Sequence, residues 1–196
     1  MKIFKVICFF SLLLLIASCN QIIKKFAGVH DPRPESVESL MKFLKKKGLS
    51  QDHVYVFKDS TSFIDHFQYS WTFPKAYVYN QDYLLLDVIE KDTCTKQTWN
   101  MVEALSGAGS YPVDSTRTLP QLLKNIERTD GQEPGANTLP LSDFYVVLYW
   151  AKFTGKVSIR EIKFIEKTLA AKKDSMNIEL LKVSCDPLVS WGSEKQ

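Results

Sequence analysis

Apolar residues fall along this chain in runs whose spacing changes from segment to segment, and each change marks an element. Val6 to Ala17 is apolar apart from Ser11, and Lys2 and Lys5 precede it. That run is too short to span a bilayer, which takes about 20 apolar residues. Residues 20–34 (NQIIKKFAGVHDPRP) have no period, and Pro32 and Pro34 stop regular structure, so the segment reads as a tether. Val37, Leu40, Met41 and Leu44 recur at i, i+3, i+4 and i+7. They predict an amphipathic helix capped by Ser36, with Lys45 to Lys47 in its last turn and Gly48 as a left-handed stop. His53 to Phe57 (HVYVF) predicts a strand, and Asp59 or Ser60 caps a short helix carrying Phe63, Ile64 and Phe67. Ala76 to Tyr79 and Tyr83 to Ile89, joined through Asn80-Gln81-Asp82, predict a hairpin. Thr95 to Leu105 reads as a helix with Trp99, Val102 and Leu105 inward, ended by Gly107, Gly109 and Pro112. Ser110 to Thr118 reads as loop, and Pro120 opens a short helix with Leu122, Leu123 and Ile126.

Asp130 to Pro140 (DGQEPGANTLP) is the most linker-like stretch and separates this first portion from a compact β-α-β unit. Phe144 to Ala151 (FYVVLYWA) is a continuous run of strand formers, as expected of a strand covered on both faces. Ser158-Ile159-Arg160-Glu161 has the spacing of a capping box, and Ile159, Ile162, Ile165 and Leu169 follow on one face. Asn177 to Ser184 (NIELLKVS) is a second strand. A helix between two strands implies that they run parallel.

Charge and cysteines change the picture at the N-terminus. Lysines, a short apolar run and the small residues Ala17 and Ser18 lead to Cys19, the layout of a secretory signal. Ile16-Ala17-Ser18-Cys19 resembles the lipobox of bacterial lipoproteins. The resemblance implies cleavage after residue 18, acylation of Cys19 as the mature N-terminus, and lipid anchoring in the bacterial cell envelope. Whether the membrane is inner or outer stays open. The organisation is then a signal over 1–18, a tether over 19–34 and a single α/β domain over 35–196. That domain comprises a helix, strand and hairpin portion (35–129) and the β-α-β unit (141–186). Removing Lys2 and Lys5 from 25 basic residues leaves 23 against 22 acidic ones, a formal charge of +1. With no basic stripe, nucleic acid is not an expected partner. Cys8 leaves with the signal, so Cys94 and Cys185 are the remaining thiols, free or paired in a compartment that permits disulfides.

The β-α-β unit carries a second resemblance. Val146 to Val157 (VVLYWAKFTGKV) resembles the thioredoxin signature, an apolar strand and Trp-Ala leading to a Cys-Gly-Pro-Cys turn. Trp150 and Gly155 fall on signature residues, Thr154 and Val157 stand where the two cysteines would be, and Lys156 replaces the proline. Phe73-Pro74 followed by Ala76 to Tyr79 resembles the hairpin of that family, which makes Pro74 the candidate cis-proline. Since that hairpin precedes the signature here, the fold implied is an α/β thioredoxin-like mixed sheet with flanking helices, assembled in circularly permuted order. The family's chemistry needs a thiolate at a helix N-terminus, where the dipole and unpaired amides lower its pKa. Thr154 and Val157 supply none, so the site is expected to be redox-inactive, with no catalytic residue.

Other chemistry finds little support. His30, His53 and His66 lack metal-ligand spacing, and His66 reads as a surface residue, so neither metal nor cofactor is expected. Asp82, Asp87, Glu90 and Asp92 flank the hairpin as a solvated edge. Residues 106–110 (SGAGS) follow a helix and precede no lysine, unlike a phosphate loop. Tyr145, Tyr149, Trp150 and Phe153 read as core. Two function classes remain: an anchored, non-enzymatic binder or scaffold for a protein or peptide partner, and an unusual thiol-disulfide protein using Cys94, Cys185 or both.

Overall fold

A computed structural model describes residues 26–67, 74–86, 100, 102–106, 111–132 and 134–195. The signal, Cys19, Cys94, Trp99 and the Phe73-Pro74 bond lie outside the described residues; Pro74 itself is buried at the start of the hairpin. The protein is α/β. Its strands are β1 (Val54–Phe57), β2 (Lys75–Asn80), β3 (Leu84–Leu86), β4 (Val113–Thr118), β5 (Ile126–Arg128), β6 (Phe144–Trp150) and β7 (Ile178–Ser184). They form one mixed open sheet of seven strands in the order β4-β3-β2-β6-β7-β1-β5. Around it lie α1 (Val37–Lys46), α2 (Ser60–Phe67), α3 (Leu119–Leu123) and α4 (Lys156–Lys172).

The β-α-β unit forms as expected. β6 and β7 are adjacent and parallel from Phe144↔Ile178 to Trp150↔Ser184. On the other side β6 pairs antiparallel with β2, from Lys75↔Tyr149 to Asn80↔Phe144, so the hairpin joins the same sheet. β1 adds parallel to β7. Three parallel strands beside an antiparallel hairpin are compatible with a thioredoxin-like mixed sheet. The first helix also matches the reading of its sequence. Ser36 Oγ accepts the Ser39 N–H at 3.1 Å, Leu40 and Leu44 are buried, and Gly48 adopts φ +66°.

Three expectations are corrected. Residues 113–118 (VDSTRT) are not loop but the edge strand β4, which pairs with β3. Ile126 leaves the short helix and starts β5, which pairs antiparallel with β1. Ser158 does not cap α4: the helix begins at Lys156 with Gly155 at the cap, and Ser158 lies buried in the first turn. The helix read over 95–105 is helical at 102–104, with Val102 and Leu105 buried.

Alternation along the central strands sorts the core into two layers. One face buries Val146, Leu148 and Trp150 beneath Leu40 and Leu44 of α1 and Ile162 and Ile165 of α4. Lys182 is buried on this face too, its ammonium held by Glu166 at 3.0 Å and the Ser50 carbonyl at 2.8 Å. The other face is aromatic. Tyr145 and Tyr149 of β6 lie with Tyr55 and Phe57 of β1, beneath Phe63 and Phe67 of α2 and Leu122 and Leu123 of α3. Phe67 meets Tyr149 edge-on at 5.3 Å, and Phe57 meets Phe63 edge-on at 5.4 Å, geometries that suit ring quadrupoles.

Two tyrosines of β6 differ in what their hydroxyls do. Tyr145 Oη donates to the Pro140 carbonyl at 2.9 Å, whereas the buried Tyr149 Oη has no hydrogen-bond partner among the described residues. A buried donor left unpaired costs about 1–3 kcal/mol. Tyr149→Phe is therefore expected to leave stability unchanged or raise it by about 1 kcal/mol, and Tyr145→Phe to lower it by about 1 kcal/mol. Paired urea denaturation curves measure both, and a larger loss at Tyr149 than at Tyr145 would refute this assignment.

Candidate functional site

β6 ends at Trp150, and the chain turns through Ala151, one 3-10 turn (Lys152–Thr154) and Gly155 into α4. The signature-like segment runs through this turn, with Trp150 at the end of β6, Thr154 and Gly155 in the turn and Val157 in the first turn of α4. Its geometry follows from burial: the strand delivers polar backbone into a dry interior, where those groups must find partners. Two hydroxyls and one carboxylate supply them.

Thr154, 8 % exposed, donates its hydroxyl to the Ala151 carbonyl at 2.7 Å and pairs with Ser158 Oγ at 2.5 Å. Ser158 Oγ in turn accepts the Ala151 N–H at 3.1 Å. The Thr154 hydroxyl is thus committed to the turn. Val157, half-buried, offers no reactive group. Trp150 points to the opposite face from Tyr149 and stacks on Phe43, with ring centroids 6.1 Å apart and planes 7° from parallel.

Asp186, which follows β7 and is 2 % exposed, closes the turn from below. It accepts the Lys152 N–H at 2.7 Å, the Phe153 N–H at 3.3 Å and the Ser184 hydroxyl at 3.0 Å. Burial raises its carboxyl above the ordinary aspartate value, outweighing those three donors. The Cys185 N–H donates to the Trp150 carbonyl at 2.7 Å, so the ends of β6 and β7 are bolted together. The Cys185 thiol is free and buried. Burial pushes it well above its ordinary value, and the neighbouring Asp186 charge adds to the shift. This is the reverse of a reactive cysteine, which needs a depressed pKa and exposure.

The stretch read as a tether is in part a strap across this turn. The His30 N–H donates to the Phe153 carbonyl at 2.9 Å, and the Glu35 N–H to Pro187 O at 2.8 Å. Glu35 bridges to Leu188 in parallel, and the Val189 N–H returns to Glu35 O at 3.0 Å. The Glu35 carboxylate takes the Lys152 ammonium at 2.6 Å, and the Ser39 hydroxyl binds both. Burial would raise the Glu35 carboxyl, but the hydrogen bonds from Lys152 and Ser39 win and hold it below its ordinary value. Gly155 permits the closest approach: at φ +57°, a Cβ there would stand 2.2 Å from the Gly28 carbonyl oxygen.

The structure therefore gathers Trp150, Thr154, Gly155, Val157 and Cys185 at one end of the sheet, with Pro74 at the same end of β2. Glu35, Ser39, Ser158 and Asp186 belong to this assembly and carried no signal for a site. Only Ser158 stood out, and for capping.

His66 is corrected as well. It is half-buried and packs on Tyr149, Phe67 and Phe57 at 5.1, 4.8 and 5.5 Å. Burial, with Arg117 and Lys75 nearby, pushes its pKa down to about 4. His53 adopts φ +50° and pairs with Glu179 at 3.0 Å, while His30 belongs to the strap, so the three histidines stay apart.

No family model, no curated protein and no solved structure matches this chain. Among the described residues, no helix is long and apolar enough to cross a membrane.

Two measurements probe this region. Because His66 is held neutral in the fold but takes a proton near pH 6.5 when unfolded, stability falls as pH drops from about 6.5 toward 4. The full shift would amount to about 3 kcal/mol, and partial solvent contact reduces the expected loss to about 1–2 kcal/mol. His66→Phe should remove that slope, and a slope that persists in the variant would assign it elsewhere. For the strap, Gly155→Ala should leave the sheet's far-ultraviolet circular dichroism intact while making residues 26–34 cleavable by a nonspecific protease at least about tenfold faster. Unchanged cleavage would mean that Gly155 does not set the strap's position.

Proposed function

We propose that this chain is a lipoprotein of the bacterial cell envelope, anchored through acylated Cys19. In this reading its thioredoxin-like domain performs no thiol chemistry and acts by binding, as a scaffold for a protein or peptide partner. One observation carries the reading. The positions equivalent to the signature cysteines are filled by a threonine whose hydroxyl is committed to the turn and by a valine, and the chain's own strap lies beside them.

The shared sheet supports reading residues 35–196 as one domain, because the hairpin of the first portion and the β-α-β unit pair directly. The circular permutation belongs to the same proposal, and its support is that the hairpin precedes β6 in the chain yet lies against it. At Cys185 the thiol-disulfide alternative has burial and a raised thiol pKa against it.

Two assays test this. Mass spectrometry of the mature N-terminus should find an acylated Cys19, and a mature chain with an unmodified start would overturn the anchor. Insulin reduction by the purified protein should not exceed background. Turnover above background that disappears in Cys94→Ser or Cys185→Ser would install the thiol reading instead.

A further inference from the structure

The strap alters the length of chain that stands between lipid and domain. Were residues 19–34 a free tether, 35 − 19 = 16 residues would link Cys19 to the fold, about 55 Å when extended. The strap already packs against Gly155 at Gly28, just before its first hydrogen bond at His30, so only 28 − 19 = 9 residues remain, at most about 30 Å. A compact domain of this size is about 40 Å across. The leash is thus shorter than the body it holds, and it leaves from one edge.

Resting on the reading of Cys19 as the lipid-bearing N-terminus, we propose that this edge faces the bilayer and that a lipid surface is its partner. The edge comprises the strap, the turn from Lys152 to Gly155 and residues 186–190. A 9-residue leash cannot carry the opposite edge to the membrane, because the domain itself stands in the way. Side chains at the exit suit the headgroup region. Phe26 is 75 % exposed directly after Lys24 and Lys25, and Val189, which bonds to the strap at Glu35, is 59 % exposed. An exposed ring beside cations is the composition that lies in a membrane interface. Exposure alone does not choose the edge, since Leu141 at the opposite one is 88 % exposed. The point where the strap leaves the fold does.

The orientation also assigns the other end of the sheet to the compartment. The loops before β1, β6 and β7, including Gln51, Leu141 and Asn177, then point away from the lipid and are the surface a protein partner can reach.

Helix α4 provides a ruler for the test. Lys156 at its start lies beside the strap, and Asp174 just past its end lies at the opposite edge; both are exposed. A helical rise of 1.5 Å over the 174 − 156 = 18 positions separates them by about 27 Å. Lys156→Cys and Asp174→Cys are made singly in the full chain carrying Cys94→Ser, matured with its lipid and reconstituted in vesicles of phosphatidylethanolamine and phosphatidylglycerol. Energy transfer from a maleimide dye to a headgroup-labelled acceptor lipid is then read. Transfer from position 156 should exceed that from position 174 by at least about twofold, given their separation. A flexible insert of 15 Gly/Ser residues between Lys25 and Phe26 should bring the two values together, without touching the fold. Equal transfer in the chain without the insert, on protein whose mass shows an acylated Cys19, would overturn the orientation and leave the anchor standing. A mass without acylation would overturn both.

Discussion

Everything in this fold hangs on β6, seven residues with no exposed member. A strand buried on both faces cannot leave a backbone amide or carbonyl to water, so it needs a neighbour along each side and a cover above and below. β7 and β2 provide the first, one parallel and one antiparallel. The apolar faces of α1 and α4 and the aromatic layer under α2 and α3 provide the second. The alternation of Val146, Leu148 and Trp150 with Tyr145, Val147 and Tyr149 makes the two layers chemically different. One is mainly aliphatic and lies under α1 and α4. The other is ring-rich and disfavours the charged form of His66.

The same constraint shapes the turn after the strand. Polar backbone at Ala151, Lys152 and Phe153 emerges while still enclosed, and Ser158, Thr154 and Asp186 satisfy it. An activated thiolate depends on unpaired amides and a helix dipole directed at it. Here a buried carboxylate takes the amides of Lys152 and Phe153. The turn has become a joint, with the strap on one side and the β7 end on the other.

Much of this was legible because burial writes itself into composition. Phe144 to Ala151 could be little else than an enclosed strand, and Leu40 and Leu44 fell on the inner face of a helix whose cap and stop were both readable. Reading failed where tertiary context supplies the pattern. β4 (VDSTRT) is an edge strand, solvated along most of its length, so it carries no apolar alternation to find. Ile126 is buried in either element, and a strand of three residues has no period. Ser158 has the capping spacing, but a glycine that tolerates φ +57° moved the helix start three residues earlier. His66 looked superficial because nothing in its neighbourhood announces Tyr149, 83 positions away. The strap was hidden for a related reason. Its attachment uses mainly backbone groups and the absence of a side chain at Gly155, which composition cannot report.

The strap's bonds also give this protein a mechanical character. Three backbone hydrogen bonds, from His30, Glu35 and Val189, and the Lys152–Glu35 ion pair lie between the N-terminal segment and the sheet. A pull applied through the N-terminal segment meets those bonds before it reaches β6 or β7. Because His30 and Glu35 are bonded at separate points, tension loads one contact and then the next instead of the whole sheet at once. The segment is a fuse in series with the core: its release from His30 to Glu35 would add 35 − 30 = 5 residues to the connection without breaking a pairing between strands.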